Sequence, residues 1–368
     1  MTLGRQSELK VLFIFILPSG GMNTLNRLRV RALRSRGIEG HLLYFQTGSG
    51  SGDIEPDIPV FYSSDPGEIG RILQVHRYDA VVMTSFFLQL PMLRSLGYAG
   101  KIIFENQGFG PPEEARRIMH EAKPYLDAYA DALLYPMTAH IGDIMRDLYP
   151  HKPHFSFYNP FDPDSFGYWP SDRNPDRPVL AWMGRLEPNK NWRDFLKVGA
   201  ETAKSVPNVH LWMFTDPAIA RPGEPEQLQL LARRLDLQYR ITHYHDIPNR
   251  LMPDYLSRVG DSGGVLLITS RAESGSYAAA EAISCRCPVV TTDSEGVRSA
   301  VVDEATGLYF RHGDIGAGAR QVLRLIGQPS LRERLIRQGM ARIRTELSME
   351  RYAGNFSQML QALGVGPC

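Results

Sequence analysis

Short apolar runs recur along the chain, and each gives way to a turn and then to a stretch whose apolar residues return every third or fourth position. The first run, "VLFIFIL" (11–17), is rich in β-branched and aromatic residues, which suits a buried strand. It passes through "PSGG" into "MNTLNRLRVRALRSRG", a helical pattern closed by Gly37. Further strands are expected at "GHLLYF" (40–45), "AVVMTSF" (80–86), "KIIFENQ" (101–107) and "ALLYP" (132–136), with "SFYNPFD" (156–162) closing this half. Strand-like and helix-like segments alternate throughout, which points to an α/β architecture with parallel sheets.

The stretch "DPDSFGYWPSDRNPDRP" (162–178) has four prolines and no apolar period, and is expected to be an interdomain linker. After it the pattern restarts. "VLAWMG" (179–184) is a strand, "RLEPNKN" a loop and "WRDFLKVGAETAKSV" a helix; "HLWMFTD", "YRITHYH" and "GVLLITS" are further strands with helices between them. Each half thus opens on a strand that runs into a loop of phosphate-binding size. A chain of 368 residues has two domains as its prior expectation. The boundaries expected are residues 1–165, joined by a closing helix over 350–368, and residues 166–349. Two doubly wound domains facing one another place a cleft at the carboxyl ends of both sheets, where α/β folds bind ligands.

Composition narrows the function. Lys plus Arg is 41 and Asp plus Glu is 40, a net charge of +1 that argues against a nucleic-acid partner. Three cysteines, Cys285, Cys287 and Cys368, make no disulfide framework and suit a reducing cytoplasm. Cys285 and Cys287 are read as small buried packing residues. No apolar run reaches the roughly 18 residues that span a bilayer, and "VLFIFIL" lacks a cleavage pattern after it. The "GSGSG" run at 48–52 has no clear helix behind it and is expected to be a flexible surface loop. "DPD" at 162–164 is expected to form a turn.

Two stretches carry chemistry. In "ITSRAESGSYAAAEAISCRCPVV" (268–290), a strand leads into a small-residue turn and then a segment of high helix propensity. Ser274 or Ser276 suits the N-cap. The helix then begins at the ligand edge of the sheet, where the N–H groups from Gly275 through Ser276 and Tyr277 to Ala278 and the positive end of the macrodipole suit an anion. Glu273 precedes the turn, and Glu281 is expected about two turns along the same helix. A carboxylate accepts well from vicinal hydroxyls such as those of a ribose. In "MGRLEPNKNW" (183–192), Arg185 and Lys190 flank a strand-to-helix loop, a cation pair that suits a diphosphate.

Together these stretches resemble glycosyltransferase family 4, retaining enzymes of the GT-B fold. "GRLEPNKN" resembles the family's G-R-L-x-x-x-K-G/N loop, and "ESGSYAAAEAISCRCPVV" its E-x7-E segment and following strand. "EGVRSAVVDEATGLYF" is similar to its donor-sugar loop and T-G-L-x-F turn, and "FYNPFDPDSF" to the ending of its first domain. The resemblance implies an α/β, GT-B enzyme with two Rossmann-like domains. It would move a sugar from a nucleotide-diphosphate sugar (UDP, GDP or ADP) to a glycan, lipid-linked or small-molecule acceptor, retaining anomeric configuration and requiring no metal or other cofactor. By the same resemblance Arg185 and Lys190 would bind the diphosphate, Glu273 would face the transferred sugar and Glu281 the ribose. Gly20 and Gly21 would cap the diphosphate from the other domain, and Ser274 through Ala278 would hold sugar and phosphate oxygens.

The departures are specific. Glu-Ser-Gly-Ser stands where Glu-Gly-Phe-Gly is frequent, and Arg286 where a glycine is common. Asn106 and Gln107 occupy the region of a frequent histidine, so they are acceptor-side candidates that can hydrogen-bond a hydroxyl but not shuttle a proton. Two other functions share the pattern: a nucleotide-sugar epimerase on the same fold, and a nucleotide-sugar-binding protein without turnover. His243 and His245 share a strand face but lack a third ligand. Arg27, Arg31 and Arg34 form a helical stripe that could rest on an anionic membrane, so the localisation expected is cytoplasmic, with peripheral membrane contact as an option.

Overall fold

The computed structural model describes residues 9–48, 50–170 and 176–366. Cys368 and residues 171–175 of the proline-rich stretch lie outside them. The chain divides into two compact units, Met1–Phe161 with Leu347–Cys368, and Asp162–Glu346.

In the first unit, seven parallel strands form one sheet: β1 (Leu9–Phe15), β2 (Ile38–Tyr44), β3 (Val60–Tyr62), β4 (Ala80–Thr84), β5 (Lys101–Glu105), β6 (Ala132–Tyr135) and β7 (His154–Ser156). Their spatial order is β3-β2-β1-β4-β5-β6-β7. β1 lies between β2 and β4, with Val11 opposite Gly40 on one side and Ala80 on the other. Helices cover both faces. One apolar layer, including Leu12, Ile14, Val81 and Phe104, faces the helices Pro112–Tyr129 and Ala139–Leu148. The other, including Val11, Phe13 and Val82, is closed by Tyr352, Ala353, Phe356 and Met359 from the C-terminal helix Met349–Ala362.

The second unit repeats the plan with six parallel strands: β8 (Val179–Met183), β9 (His210–Thr215), β10 (Ile241–His245), β11 (Val265–Ile268), β12 (Val289–Thr292) and β13 (Leu308–Phe310), in the order β10-β9-β8-β11-β12-β13. In each sheet the chain winds outward on one side, then returns and winds outward on the other. The reversal falls between β1 and β4 in the first unit and between β8 and β11 in the second. At such a switch point the loops leave in opposite directions and open a crevice at the carboxyl edge.

Several expectations are corrected. β3 and β13 are three-residue strands too short to show a period. The stretch 156–162, expected to close the first half, follows a last strand of only three residues, His154–Ser156. The expected linker begins at the boundary between the two units, and its residues 162–170 are held on the second one. Trp169 N–H donates to Ser257 Oγ (2.9 Å), Tyr168 OH to Asp261 (3.1 Å) and Cys285 Sγ to Gly167 C=O (3.4 Å), so this segment is strapped to the second unit. Asp162 does form the expected turn, accepting from Asp164 N–H at 3.1 Å. The "GSGSG" run, whose Ser49 lies outside the described residues, is not a free loop either. Gly50 N–H donates to Pro18 C=O (3.0 Å) and Asn23 Nδ2 to Gly50 C=O (3.2 Å). A Cβ at Gly48 would lie 2.5 Å from the Pro18 oxygen, so the glycines permit close docking. Cys285 and Cys287 are fully buried as free thiols.

A buried ion pair organises the first unit. Arg29, on the helix Gly20–Arg34, donates through Nη1 to both oxygens of Glu105 at the end of β5 (2.9 and 2.8 Å), and neither side chain is exposed. Thr84 Oγ1 (2.6 Å) and Gln107 Nε2 (3.0 Å) also donate to Glu105, and Asn26 Oδ1 accepts from Arg29 Nη2. The guanidinium lies 4.2 Å from the Phe13 ring centroid. Glu105→Ala is expected to strand the Arg29 charge and cost about 3–5 kcal/mol, read as a fall in the urea midpoint of the first unit. Arg29→Met with Glu105→Leu together should recover most of that loss.

Candidate functional site

The loops that follow β8 and β11 meet at the switch point of the second sheet. Asn189 joins them: its C=O accepts from Arg271 N–H (2.8 Å), its Nδ2 donates to Ala272 C=O (3.0 Å) and its Oδ1 accepts from Ala272 N–H (3.2 Å). Thr269 Oγ1 reaches the carbonyls of Lys190 (3.1 Å) and Asn191 (2.9 Å), while Trp182 Nε1 donates to it from β8 (3.2 Å). On this scaffold Lys190 Nζ donates to Glu273 Oε1 at 2.7 Å, and Ser270 Oγ donates to the same oxygen at 2.7 Å. Both members of the pair are largely shielded, with side-chain exposures of 24% and 11%. Arg185 stands apart, more than half exposed and paired with Glu187 at 3.1 Å.

The helix after β11 is Tyr277–Ser284, with Ser276 as N-cap accepting from Ala279 N–H at 3.4 Å. Its amino end sits at the carboxyl edge of the sheet, so the Ser276–Ala278 turn points the positive end of the peptide dipoles at that edge. Glu273 lies before the helix in an extended segment bridged to Glu295. Glu273 precedes the helix as expected, and Glu281, expected about two turns along it, is its fifth residue. Ser274 and Gly275 form the turn between them. Arg286 takes the left-handed conformation just past the helix (φ 58°), the place where glycine is usual. Its guanidinium stacks on Tyr168, 4.3 Å from the ring centroid.

Glu281 is buried with 7% exposure. Asn249 Nδ2 reaches it at 3.4 Å. Burial pushes its carboxyl up to about 7, against a weaker opposing effect of the Asn249 hydrogen bond. A buried acid with so little support is expensive to ionise and suits a ligand that donates hydrogen bonds to it.

In the first unit, Gly20 and Gly21 open the helix after β1 at its switch point, and both are exposed. Gly20 has φ +50°, and the N-cap Ser19 makes no side-chain capping bond. Asn106 is buried and local: Oδ1 accepts from Gly108 N–H (2.8 Å) and Nδ2 points at Met145 Sδ (3.7 Å). Gln107 exchanges two hydrogen bonds with Asn159 (3.2 and 2.8 Å). Both amides are thus engaged in holding the loop after β5. Arg27 and Arg31 lie against Glu55 (3.2 and 3.9 Å) and Arg34 against Asp57, so neighbouring carboxylates neutralise the expected basic stripe. No helix among the described residues is long and apolar enough to cross a membrane. The rings of His243 and His245 stack 6.1 Å apart. Among the described residues no group of three or more His, Cys, Asp or Glu side chains is arranged to hold a metal ion.

Sequence reasoning missed Asn189, Thr269, Asn249 and Ser270. Only Asn189 left a signal, in the turn-forming "EPNKN"; the others act through strand pairings that local pattern does not show.

The sequence profile of the family described as "Glycosyl transferases group 1" matches residues 169–342, nearly the whole second unit. Over this segment the chain is similar to the group 1 glycosyl transferases. It is 29% identical over 168 residues to the D-inositol 3-phosphate glycosyltransferase of Nocardia farcinica, covering 45% of this chain and 36% of that protein. It is 28% identical over 256 residues to D-inositol 3-phosphate glycosyltransferase 2 of Catenulispora acidiphila, covering 65% and 58%. The matches thus span between about a third and three-fifths of these relatives' lengths. Anabaena HepE, solved in complex with UDP and glucose, superposes with a TM-score of 0.80 at 17% identity, over 96% of this chain and 100% of HepE. That likeness shows the fold, and the two Rossmann-like units are those of GT-B glycosyltransferases.

Because the carboxyl of Glu281 sits above its ordinary value of 4.5, the folded state binds its proton more tightly than the unfolded chain does. Its cost to stability is absent below pH 4.5, grows as pH rises to about 7 and is constant above. Glu281→Gln is therefore expected to match the wild type at low pH and to exceed it by up to about 3 kcal/mol at pH 8, checked by urea midpoints across that range.

Proposed function

We propose that the protein is a retaining glycosyltransferase that moves a hexosyl group from a nucleotide-diphosphate sugar to a hydroxyl of a glycan, lipid-linked or small-molecule acceptor. The observation that carries this reading is the Lys190–Glu273 contact at the β8–β11 switch point, beside a helix amino end and the buried Glu281. A diphosphate needs cations and N–H donors, a ribose needs a hydrogen-bond acceptor, and one edge of this unit supplies all three. The similarity of residues 169–342 to the group 1 family supports the same reading.

In this reading the second unit binds the donor and the first unit carries the acceptor side. Lys190 and Arg185 bind the diphosphate together with the N–H groups of Gly275 to Ala278. Glu281 accepts from the ribose hydroxyls, and Glu273, released from Lys190, accepts from the sugar. The bond from the anomeric carbon to the diphosphate breaks while the acceptor oxygen bonds to the same face. The acceptor proton passes to the departing diphosphate. Lys190 stabilises the charge that develops on that oxygen, an effect largest in the transition state. The uridine diphosphate held by HepE makes UDP-sugars the first donors to try.

Thermal shift of the purified protein with UDP, GDP and ADP and their sugars tests the donor assignment. A ligand at 100 times its Kd is expected to add about 2.7 kcal/mol, and no shift with any of them would withdraw the reading. Lys190→Ala is expected to lower kcat/KM for transfer by about 10²–10³, mostly in kcat. Glu281→Gln should weaken the nucleoside diphosphate itself, measured by calorimetry.

A further inference from the structure

Glu281 is buried, yet its carboxyl meets the loop that follows β10: Asn249 Nδ2 donates to Oε1 at 3.4 Å. Side chains on a helix lean towards its amino end. A carboxyl on the fifth residue of Tyr277–Ser284 therefore reaches back over the first turn, where Ala278, three residues earlier, leaves its path open. The strands of this sheet are parallel, so the loop that carries Asn249 leaves at the same carboxyl edge as that turn. The contact thus shows which way the buried acid points.

Asn249 is itself held. Asp246 N–H donates to Thr215 C=O (3.1 Å) and Leu251 N–H to Pro248 C=O (2.9 Å), tying the loop on both sides of the amide. Pro248 fixes φ just ahead of it, and Pro253 stands in the first turn of the helix Met252–Asp261 just behind it. Further along that helix Tyr255 lodges edge-on against Phe214 and Tyr244, with ring centroids 5.5 and 4.9 Å away. An amide on a turn so anchored costs little further entropy to keep in place. Among the described residues Asn249 is the one side chain that donates to this carboxylate. Its bond is longer than the about 2.7–2.9 Å usual for a charged acceptor. The acid is held in place but not satisfied, and Oε2 is left for a ligand.

We propose that Asn249 is a positioning residue for the ribose of the nucleotide: by holding Oε1 it turns the Glu281 carboxylate so that a vicinal diol can donate to it. Asn249 acts through Glu281 and not on the ligand. A carboxylate has about four lone-pair sites, enough for the amide and for two ribose hydroxyls together. Without the amide the carboxylate is free to rotate about its last bond, and each hydroxyl bond loses alignment. The inference rests on the nucleotide-sugar reading of the second unit, with Glu281 at the ribose.

The test is calorimetric titration of wild type, Asn249→Ala, Asn249→Leu and Glu281→Gln with UDP, GDP and ADP, each beside its 2′,3′-dideoxy counterpart. The dideoxy compounds keep base and diphosphate and lack only the diol. The wild type is expected to bind one ribonucleotide at least about tenfold more tightly than its dideoxy form, the weight of a hydrogen bond to a charged group. In both Asn249 variants, of which Leu keeps the bulk of the side chain, that preference should fall to about threefold or less, with dideoxy affinity within about twofold of wild type. Asn249→Ala added to Glu281→Gln should leave the preference of Glu281→Gln unchanged, as expected of residues that act in series. Equal losses for both forms, with the preference intact, would make Asn249 a structural part of its loop and overturn the inference alone; so would variants identical to wild type. A wild type that binds a diphosphate without preferring the diol overturns the ribose role of Glu281 and the inference with it. No binding of any of the three diphosphates overturns the donor reading as well.

Discussion

The contact on which the second unit's site depends is the ion pair between Lys190 and Glu273. It joins loops from two strands that are neighbours in the sheet but 83 residues apart in the chain. The reversal of strand order between β8 and β11 makes the crevice, and the Asn189 and Thr269 bonds fix the loop backbones around it. Lys190 and Glu273 then hold each other across the two loops. Each partner supplies the other's counter-charge in a largely shielded setting, so neither charge is left buried and unpaired.

Two buried acids show how the same residue type takes opposite roles. Glu105 accepts from Arg29, Thr84 and Gln107, and its surroundings satisfy it within the first unit. Such a fully bonded carboxylate is structural, and it fixes how the helix Gly20–Arg34 sits on the sheet. Glu281 has one amide at long range and is pushed towards the neutral form. An acid kept under-satisfied in the interior is a debt that a ligand can settle, which is why perturbed groups of this kind gather at working sites.

Backbone strain is distributed in the same way. Asn191, Arg286 and Glu295 all take positive φ without being glycine, and all three border the loops at the carboxyl edge of the second sheet or the helix that starts there. At Asn191 the left-handed residue leads into the helix Trp192–Ser205, and asparagine tolerates it well. At Arg286 it ends a helix where a glycine would be easier, and stacking on Tyr168 supports the side chain. At Glu295 the turn lies beside Glu273, to which its backbone is bridged.

Much of this was legible in the residues themselves. The alternation of strand-like and helix-like segments implied parallel sheets, and a strand running into "ESGSYAAAEA" implied a helix amino end at the sheet's edge, because hydrophobic period, capping and propensity are local properties. The conformations of 48–52 and 162–170 were not legible, since composition resembling a loop says nothing about what the segment docks against. Nor could the sequence show that Arg29 would be buried on Glu105, that the stripe of Arg27, Arg31 and Arg34 would be neutralised by Glu55 and Asp57, or that Asn249 would reach Glu281. Each of these joins residues far apart in the chain, and whether a charge is free, paired or desolvated depends on what the fold brings to it. The sequence by itself determined the elements, their alternation and the residue types offered at the carboxyl edges. Only the tertiary structure decided which of those charges meet, because strand order and packing, not sequence spacing, set the distances over which electrostatics acts.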